Sequence, residues 1–255
     1  MKGGMAVERR VLVLVDAAPL LQAPDACRRR AAQDGCLLWR RLLPPGHVLA
    51  AGAEVRSACC GAGWCDATGA PLVAADDADA EALAARLRRL PRWRQLGEHP
   101  ALHRAMAAAL GGGARCVGVA VDLRWPGEAA GPVDAPRDGN WSVWVPLEDC
   151  ATTNAGLAVL PGSHQDGAAA AVTAWADMAA GDVLALDGDT LRQPLAHAGN
   201  RLRLAVHFRY RPPADDASGW RPTPPTAAQD PAPAPVPTWP PPHCDAPPAT
   251  CAGCC

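Results

Sequence analysis

The chain has 255 residues, 49% of them hydrophobic, and a formal net charge of −2. That length holds one domain with extensions or at most two small ones, and the apolar share is enough for a core. With no long basic run, the charge pattern excludes a phosphate-backbone binder, which needs a concentrated basic face. No apolar stretch reaches membrane-spanning length.

Residues 11–15, Val-Leu-Val-Leu-Val, follow Glu8-Arg9-Arg10 and stop at Asp16. They read as a strand rather than the core of a signal peptide. The expectation is a soluble cytoplasmic protein with neither nucleic acid nor membrane as partner. Residues 24–33 are mostly helix formers, ended by the turn pair Asp34-Gly35. Residues 36–43 read as a strand, and Pro44-Pro45-Gly46 opens a helix from His47 to about Ser57. Residues 58–78, rich in Gly, Cys and Asp, read as a loop. Cys59, Cys60 and Cys65 lie in it, but no second pair stands at zinc spacing.

A helix is expected over 80–90, with Leu83, Leu87 and Leu90 on one side, broken by Pro91. Another is expected over 99–110, closed by glycines at 111–113. Residues 116–125 read as a β-branched strand ended by Pro126-Gly127, and 128–140 as a loop. Strands follow at 141–150, around 156–160, at 183–186 and at 201–210. Beyond Pro212, Pro, Ala, Asp and Thr dominate without periodicity. Such a segment cannot bury enough apolar area to offset its ordering entropy, so 216–255 reads as a disordered tail. The chain carries 11 Cys, four of them in that tail at Cys244, Cys251, Cys254 and Cys255. An odd count without a secretory leader does not read as a disulfide framework. The tail thiols beside His243 read as incidental to a low-complexity terminus rather than as a chelating site.

Several stretches act together. They are Trp-Ser-Val-Trp-Val-Pro-Leu-Glu-Asp at 141–149, Gly-Leu-Ala-Val-Leu-Pro-Gly-Ser-His at 156–164, Gly-Asp-Val-Leu-Ala-Leu-Asp at 181–187, and the basic strand at 201–210. Their succession resembles the second half of the barrel in the phytanoyl-CoA dioxygenase family of Fe(II)- and 2-oxoglutarate-dependent oxygenases. The segments at 34–55 and 99–113 resemble that family's N-terminal helices. The resemblance implies a mainly β fold with flanking helices, a double-stranded β-helix or cupin-like jelly-roll, over 24–215. It leaves 1–23 as an N-terminal strand and loop.

It also implies a site. Iron in this family is held by a His-x-Asp pair and a distal His, leaving open positions for O₂ and the 2-oxo acid. A basic residue about eleven positions after the distal His grips the far carboxylate of 2-oxoglutarate. The best match to His-x-Asp is Pro132-Val133-Asp134, with Asp134 as the carboxylate and proline in the histidine place; Asp138, with Pro136, is the fallback. Arg192 falls in the distal histidine place. Arg203, eleven residues later, matches the 2-oxoglutarate arginine, and Trp144 a tryptophan beside the 2-oxo acid. Proline offers no side-chain lone pair, and arginine offers only donors and stays charged. Fe(II) retention is therefore doubtful, and 2-oxoglutarate the better supported ligand of the two. His197, five residues after Arg192, is the one histidine placed to rescue the metal; His164 and His207 read as structural. In the emptied pocket Asp134 and Arg192 are expected to face one another as an ion pair.

Three functions follow. One is an active hydroxylase of the resembled type, which the ligand count opposes. The second, preferred, is a non-catalytic relative serving as a scaffold or a binder of a small carboxylate. The third is a metal- or redox-active Cys/His tail carried by the barrel. No Walker-type loop, no His-Glu-x-x-His and no nucleophile-elbow frame supports a conventional alternative.

Overall fold

The computed structural model describes residues 10–73, 89–165 and 172–211, together with Leu83, Arg86 and Leu87. All of these lie in the first of two units, Met1–Arg221. The expected tail at 216–255 and most of the helix expected at 80–90 lie outside the described residues.

Nine strands and four helices build the described part. They run β1 (Arg10–Val13), α1 (Pro24–Asp34), β2 (Cys36–Trp39), α2 (Pro45–Gly61), α3 (Pro91–Gly97), α4 (Pro100–Leu110) and β3 (Arg115–Arg124). Then come β4 (Trp141–Pro146), β5 (Leu157–Val159), β6 (Val172–Trp175), β7 (Val183–Leu186), β8 (Arg192–Pro194) and β9 (Arg203–Arg211). A short 3-10 turn, Ala18–Gln22, precedes α1. Five strands form one sheet in the order β2-β7-β4-β9-β3, all antiparallel; four form the other in the order β1-β6-β5-β8. Two facing sheets, helices against one of them and crossovers throughout match the expected jelly-roll. Among the described residues no helix is long and apolar enough to cross a membrane.

Strands β2, β7, β4 and most of β9 are buried on both faces while the edge strand β3 is only partly covered, and side-chain alternation divides the core in two. Leu37 and Trp39 of β2, Val143 and Val145 of β4, Val183 and Ala185 of β7, and Leu204, Val206 and Phe208 of β9 face the helices. Leu38, Trp144, Leu184, Leu186 and Ala205 face the other sheet, meeting Leu157, Val159 and Ala174. This explains why β2 and β7 read as unbroken apolar runs.

One expectation needs correction. The second helix does not stop near Ser57 but continues to Gly61. Val48, Ala51, Gly52, Val55, Ala58 and Cys59 form one continuous buried stripe, so residues assigned to a loop by composition are held in the helix by packing. The first strand is present as expected, at Arg10–Val13. It pairs in parallel with β6, a partner more than 150 residues away that local pattern does not reveal. The thiols at and just beyond the end of the helix are packing groups. Burial pushes Cys59 up to about 11 and Cys65 up to about 12, and Cys60 Sγ lies 3.4 Å from Cys65 Sγ.

Helix ends follow local chemistry. The α4 N-terminus is capped by His99, whose Nδ1 accepts from the Ala101 amide at 3.2 Å, and α1 ends at Gly35 in the left-handed conformation. Helix α2 crosses the end of β4 so closely that a Cβ on Gly52 would lie 2.6 Å from the Leu147 carbonyl oxygen. That carbonyl cannot easily retreat, because the Leu147 amide is bonded to Leu204 O at 2.9 Å. Helix propensity alone favours alanine over glycine by about 1 kcal/mol. Here the Gly52→Ala variant is expected to lose about 1–3 kcal/mol instead, read from urea unfolding midpoints.

Candidate functional site: the barrel interior

Residues 131–134 run beside β8 as a short extension of the four-stranded sheet. The Gly131 amide donates to Pro194 O at 2.9 Å, and Asp134 and Arg192 exchange both backbone bonds, at 2.9 and 3.0 Å. The structure thus brings together the two residues that spacing singles out. Their side chains meet less closely than an ion pair in an emptied pocket would. Arg192 Nε is 3.9 Å from Asp134 Oδ1, outside hydrogen-bond reach, and the Asp134 side chain is 64% exposed. Arg192 is largely buried and its Nη1 has no partner; burial, with Arg209 nearby, pulls its pKa down. The fallback carboxylate, Asp138, is taken by Arg209 at 3.2 Å.

His197 is buried and engaged at both ring nitrogens. Nε2 donates to Arg201 O at 2.7 Å, and Nδ1 accepts from the Gly199 amide at 3.2 Å. Burial lowers its pKa, in keeping with a neutral ring locked in the Nε2–H tautomer. The ring has no lone pair to spare for a metal. His164 lies elsewhere, with Nε2 3.0 Å from Ala32 O. Among the described residues no three His, Cys, Asp or Glu side chains cluster at metal-binding range. One exposed carboxylate beside a guanidinium, with proline two residues before it, does not fit the donor set that iron requires.

The other two singled-out residues, Arg203 and Trp144, lie together and share a third residue that sequence reasoning missed. Trp144 Nε1 donates to Asp122 Oδ2 at 3.0 Å, and Arg203 Nη1 donates to the same oxygen at 2.7 Å. Arg203 Nη1 also reaches the Asp122 carbonyl at 3.2 Å, and the guanidinium lies 5.6 Å from the Trp144 ring centre. Strand pairing causes this convergence. Asp122 on β3 is opposite Ala205 on β9, so Arg203 and His207 flank it on the same face. Trp144 on β4 is opposite His207. The signal in the sequence is an acid inside the apolar strand Val-Ala-Val-Asp-Leu at 119–123.

Burial alone would push the Asp122 carboxyl up. The Arg203 guanidinium, aided by His207, more than reverses this and holds it well below the usual carboxylate range. His207 is held neutral, its pKa lowered by burial against the pull of Asp122. Its Nδ1 lies 3.0 Å from Ser142 Oγ and its Nε2 3.6 Å from Asp122 Oδ2. The order Ser142–His207–Asp122 is that of a hydrolytic triad, but it lacks the use of one. Ser142 is fully buried, and the His–Asp separation exceeds a hydrogen bond. Beside the network a pocket of about 180 Å³ opens, with Glu148, Asp149, Asn154, His197, Arg201 and Arg203 in its wall.

Solved structures share this architecture. The non-haem α-ketoglutarate-dependent epimerase SnoN from nogalamycin biosynthesis is 18% identical with a TM-score of 0.60, over 75% of this chain and 83% of its own. AviO1 from Streptomyces viridochromogenes Tue57 is 21% identical, TM-score 0.57, over 75% and 96%. EctD from S. alaskensis, solved with bound Fe, is 14% identical, TM-score 0.55, over 74% and 78%. The chain therefore has the fold of the non-haem iron, 2-oxoglutarate-dependent oxygenases. No family model matches it, and no curated protein matches it.

Removing the cation of the network strands its anion. Arg203→Ala is expected to cost about 3–5 kcal/mol by chemical denaturation, and much less in a background where Asp122 is Asn. The pH dependence has a definite sign. A depressed carboxyl at Asp122 contributes fully above its unfolded value, about pH 4, and that contribution is lost as pH falls through the folded-state value. His207, whose folded-state pKa is also depressed, contributes fully above about pH 6.5 and likewise loses its contribution on acidification. Thermal melts are thus expected to hold steady above neutrality and to fall in acid. Greater stability at pH 5 than at pH 7 would contradict the His207 assignment, and stability that does not fall below about pH 4 would contradict that of Asp122.

Proposed function

We propose that this chain is a phytanoyl-CoA dioxygenase-like protein in which metal-dependent hydroxylation is lost, so that the barrel acts as a non-catalytic binding or scaffold module. What carries the reading is the pair Asp134 and Arg192. They are backbone partners on adjacent strands, yet the pair offers a single exposed carboxylate and a buried guanidinium 3.9 Å from it. Proline occupies position 132, and the nearby histidine, His197, has spent both nitrogens on its own loop. A permanent cation at the third ligand place repels a divalent ion rather than binding it.

The fold supports the ancestry and not the activity, because a fold carries many functions and the site decides among them. The pocket wall sets the acids Glu148 and Asp149 beside Arg201 and Arg203, and this polar lining favours a small polar partner over an extended apolar one. Two further parts of the proposal, a cytoplasmic setting and the absence of nucleic-acid or membrane partners, rest on charge and apolar pattern alone.

The test is direct. Purified protein is incubated anaerobically with Fe(II), desalted and assayed for iron, then supplied with O₂, ascorbate and 2-oxoglutarate and assayed for succinate. Neither retained iron nor succinate is expected; stoichiometric iron with turnover would overturn the reading. The positional mapping has its own check. The double variant Pro132→His/Arg192→His rebuilds a two-histidine, one-carboxylate set with Asp134. It is expected to retain Co(II) or Fe(II) after desalting, where the parent protein does not.

A further inference from the structure

Arg203 is only 4% exposed, and its charge must be met within the fold. It is met by Asp122, whose Oδ2 takes donors from both Arg203 and Trp144. A cation and an indole N–H converging on one carboxylate oxygen make a built carboxylate-recognition position. Its occupant is the protein's own side chain. We propose that Asp122 is a resident ligand that fills this position and closes it to free small carboxylates, 2-oxoglutarate included. The inference rests on the reading of the barrel as non-catalytic, and it supplies a second reason for it, independent of iron.

Charge decides the matter. Arg203 and Asp122 cancel, and His207 is neutral. A second carboxylate entering beside them would be an unpaired buried anion, which is unfavourable by several kcal/mol, on the order of 3–5. Without the Asp122 carboxylate the same position holds an unpaired cation and asks for an anion. The donors are not exhausted, either. Arg203 Nη1 serves both the carbonyl and the carboxylate of Asp122, while Nε is buried with no partner. A free carboxylate is not tethered to β3, so it can take the two-pronged approach that satisfies more of a guanidinium fork. Access exists on both sides. Asp122 is 22% exposed, and Arg203 stands in the wall of the pocket of about 180 Å³, large enough for a short carboxylic acid.

The residues of this position therefore do not fit 2-oxoglutarate as they stand. The family resemblance assigns Arg203 and Trp144 to that acid; in the structure Arg203 Nη1 and Trp144 Nε1 already donate to an internal carboxylate. Asp122 is the specificity-determining residue of the barrel, acting by exclusion.

The experiment uses the full chain, in chelator, with acetate and 2-oxoglutarate as probes. Titration calorimetry is run on the parent protein, on Asp122→Ala and on Asp122→Asn. Thermal melts with and without acetate are run alongside. The parent protein is expected to give no heat with either probe. Asp122→Ala is expected to bind acetate at least about tenfold more tightly than the parent, a difference of about 1.4 kcal/mol. Its melting temperature should rise with acetate while the parent's does not. Asp122→Asn, isosteric and uncharged, keeps the strand contacts and covers the case in which Asp122→Ala does not fold. It is expected to show the same gain to a smaller extent. Adding Arg203→Ala to either variant should remove the gain. Parent protein that binds either probe as tightly as the variants, or folded variants without acetate dependence, overturns the inference. Retained iron in the earlier assay would sink the non-catalytic reading yet leave this result standing, so the two failures are distinguishable.

Discussion

A sheet buried on both faces cannot carry an uncompensated charge, and this constraint organises the interior. The helix-facing side of the five-stranded sheet meets it by being wholly apolar, from Trp39 through Phe208. The inward side does not. Asp122, Trp144, Arg203 and His207 project there from three neighbouring strands, and most of their polar atoms meet one another or Ser142. The ion pair between Asp122 and Arg203 is the central solution. It is bonded at 2.7 Å, and the indole of Trp144 donates to the same oxygen. Removing either charge alone exposes the other to the low-dielectric interior, which is why such pairs are lost together or kept together.

The mouth of the barrel obeys the same rule less strictly, because water helps. Arg192 and Arg209 lie under the segment bearing Asp134 and Asp138, two cations beneath two acids. The carboxylate of Asp134 is mostly solvated, so its 3.9 Å separation from Arg192 contributes little. The Arg192 side chain, by contrast, is only 12% exposed and keeps one nitrogen without a partner. The short contact expected between these two residues fails for that reason. The acid faces water while the guanidinium is buried, and the two side chains stop 3.9 Å apart.

Much of this is legible in the residues. The apolar runs of β2, β4, β7 and β9 declare themselves by content, and parity along β9 alone puts Arg203 and His207 on one face. The resemblance, through the Pro-Val-Asp at 132–134 and the eleven residues from Arg192 to Arg203, implies one site for Asp134 and Arg192, and they are backbone partners. What stays hidden depends on pairing between distant segments. Asp122 looks like a charged interruption of an apolar strand until β3 is laid against β9, when it becomes the partner of both residues assigned to the cofactor. The parallel pairing of β1 with β6 has no local signature at all. The extension of α2 through Cys59 and Cys60 is masked by composition, since Gly, Cys and Ala read as loop until their spacing is read as a stripe.

In an iron-bearing barrel a metal would cross-link the two sheets at the mouth through its protein ligands. Here the cross-links among the described residues are made otherwise. The backbone ladder between Asp134 and Arg192 ties the 131–134 segment to β8, and Asp138 reaches Arg209 on β9. Thr190 donates to Gly35 O at 2.8 Å, and Asp182 accepts from Arg40 and from the Arg41 amide, fixing β2 to the loops around β7. These contacts are formed by folding itself and need no ion. Among the described residues, proline at 132 and arginine at 192 are therefore accommodated by contacts that the chain itself supplies.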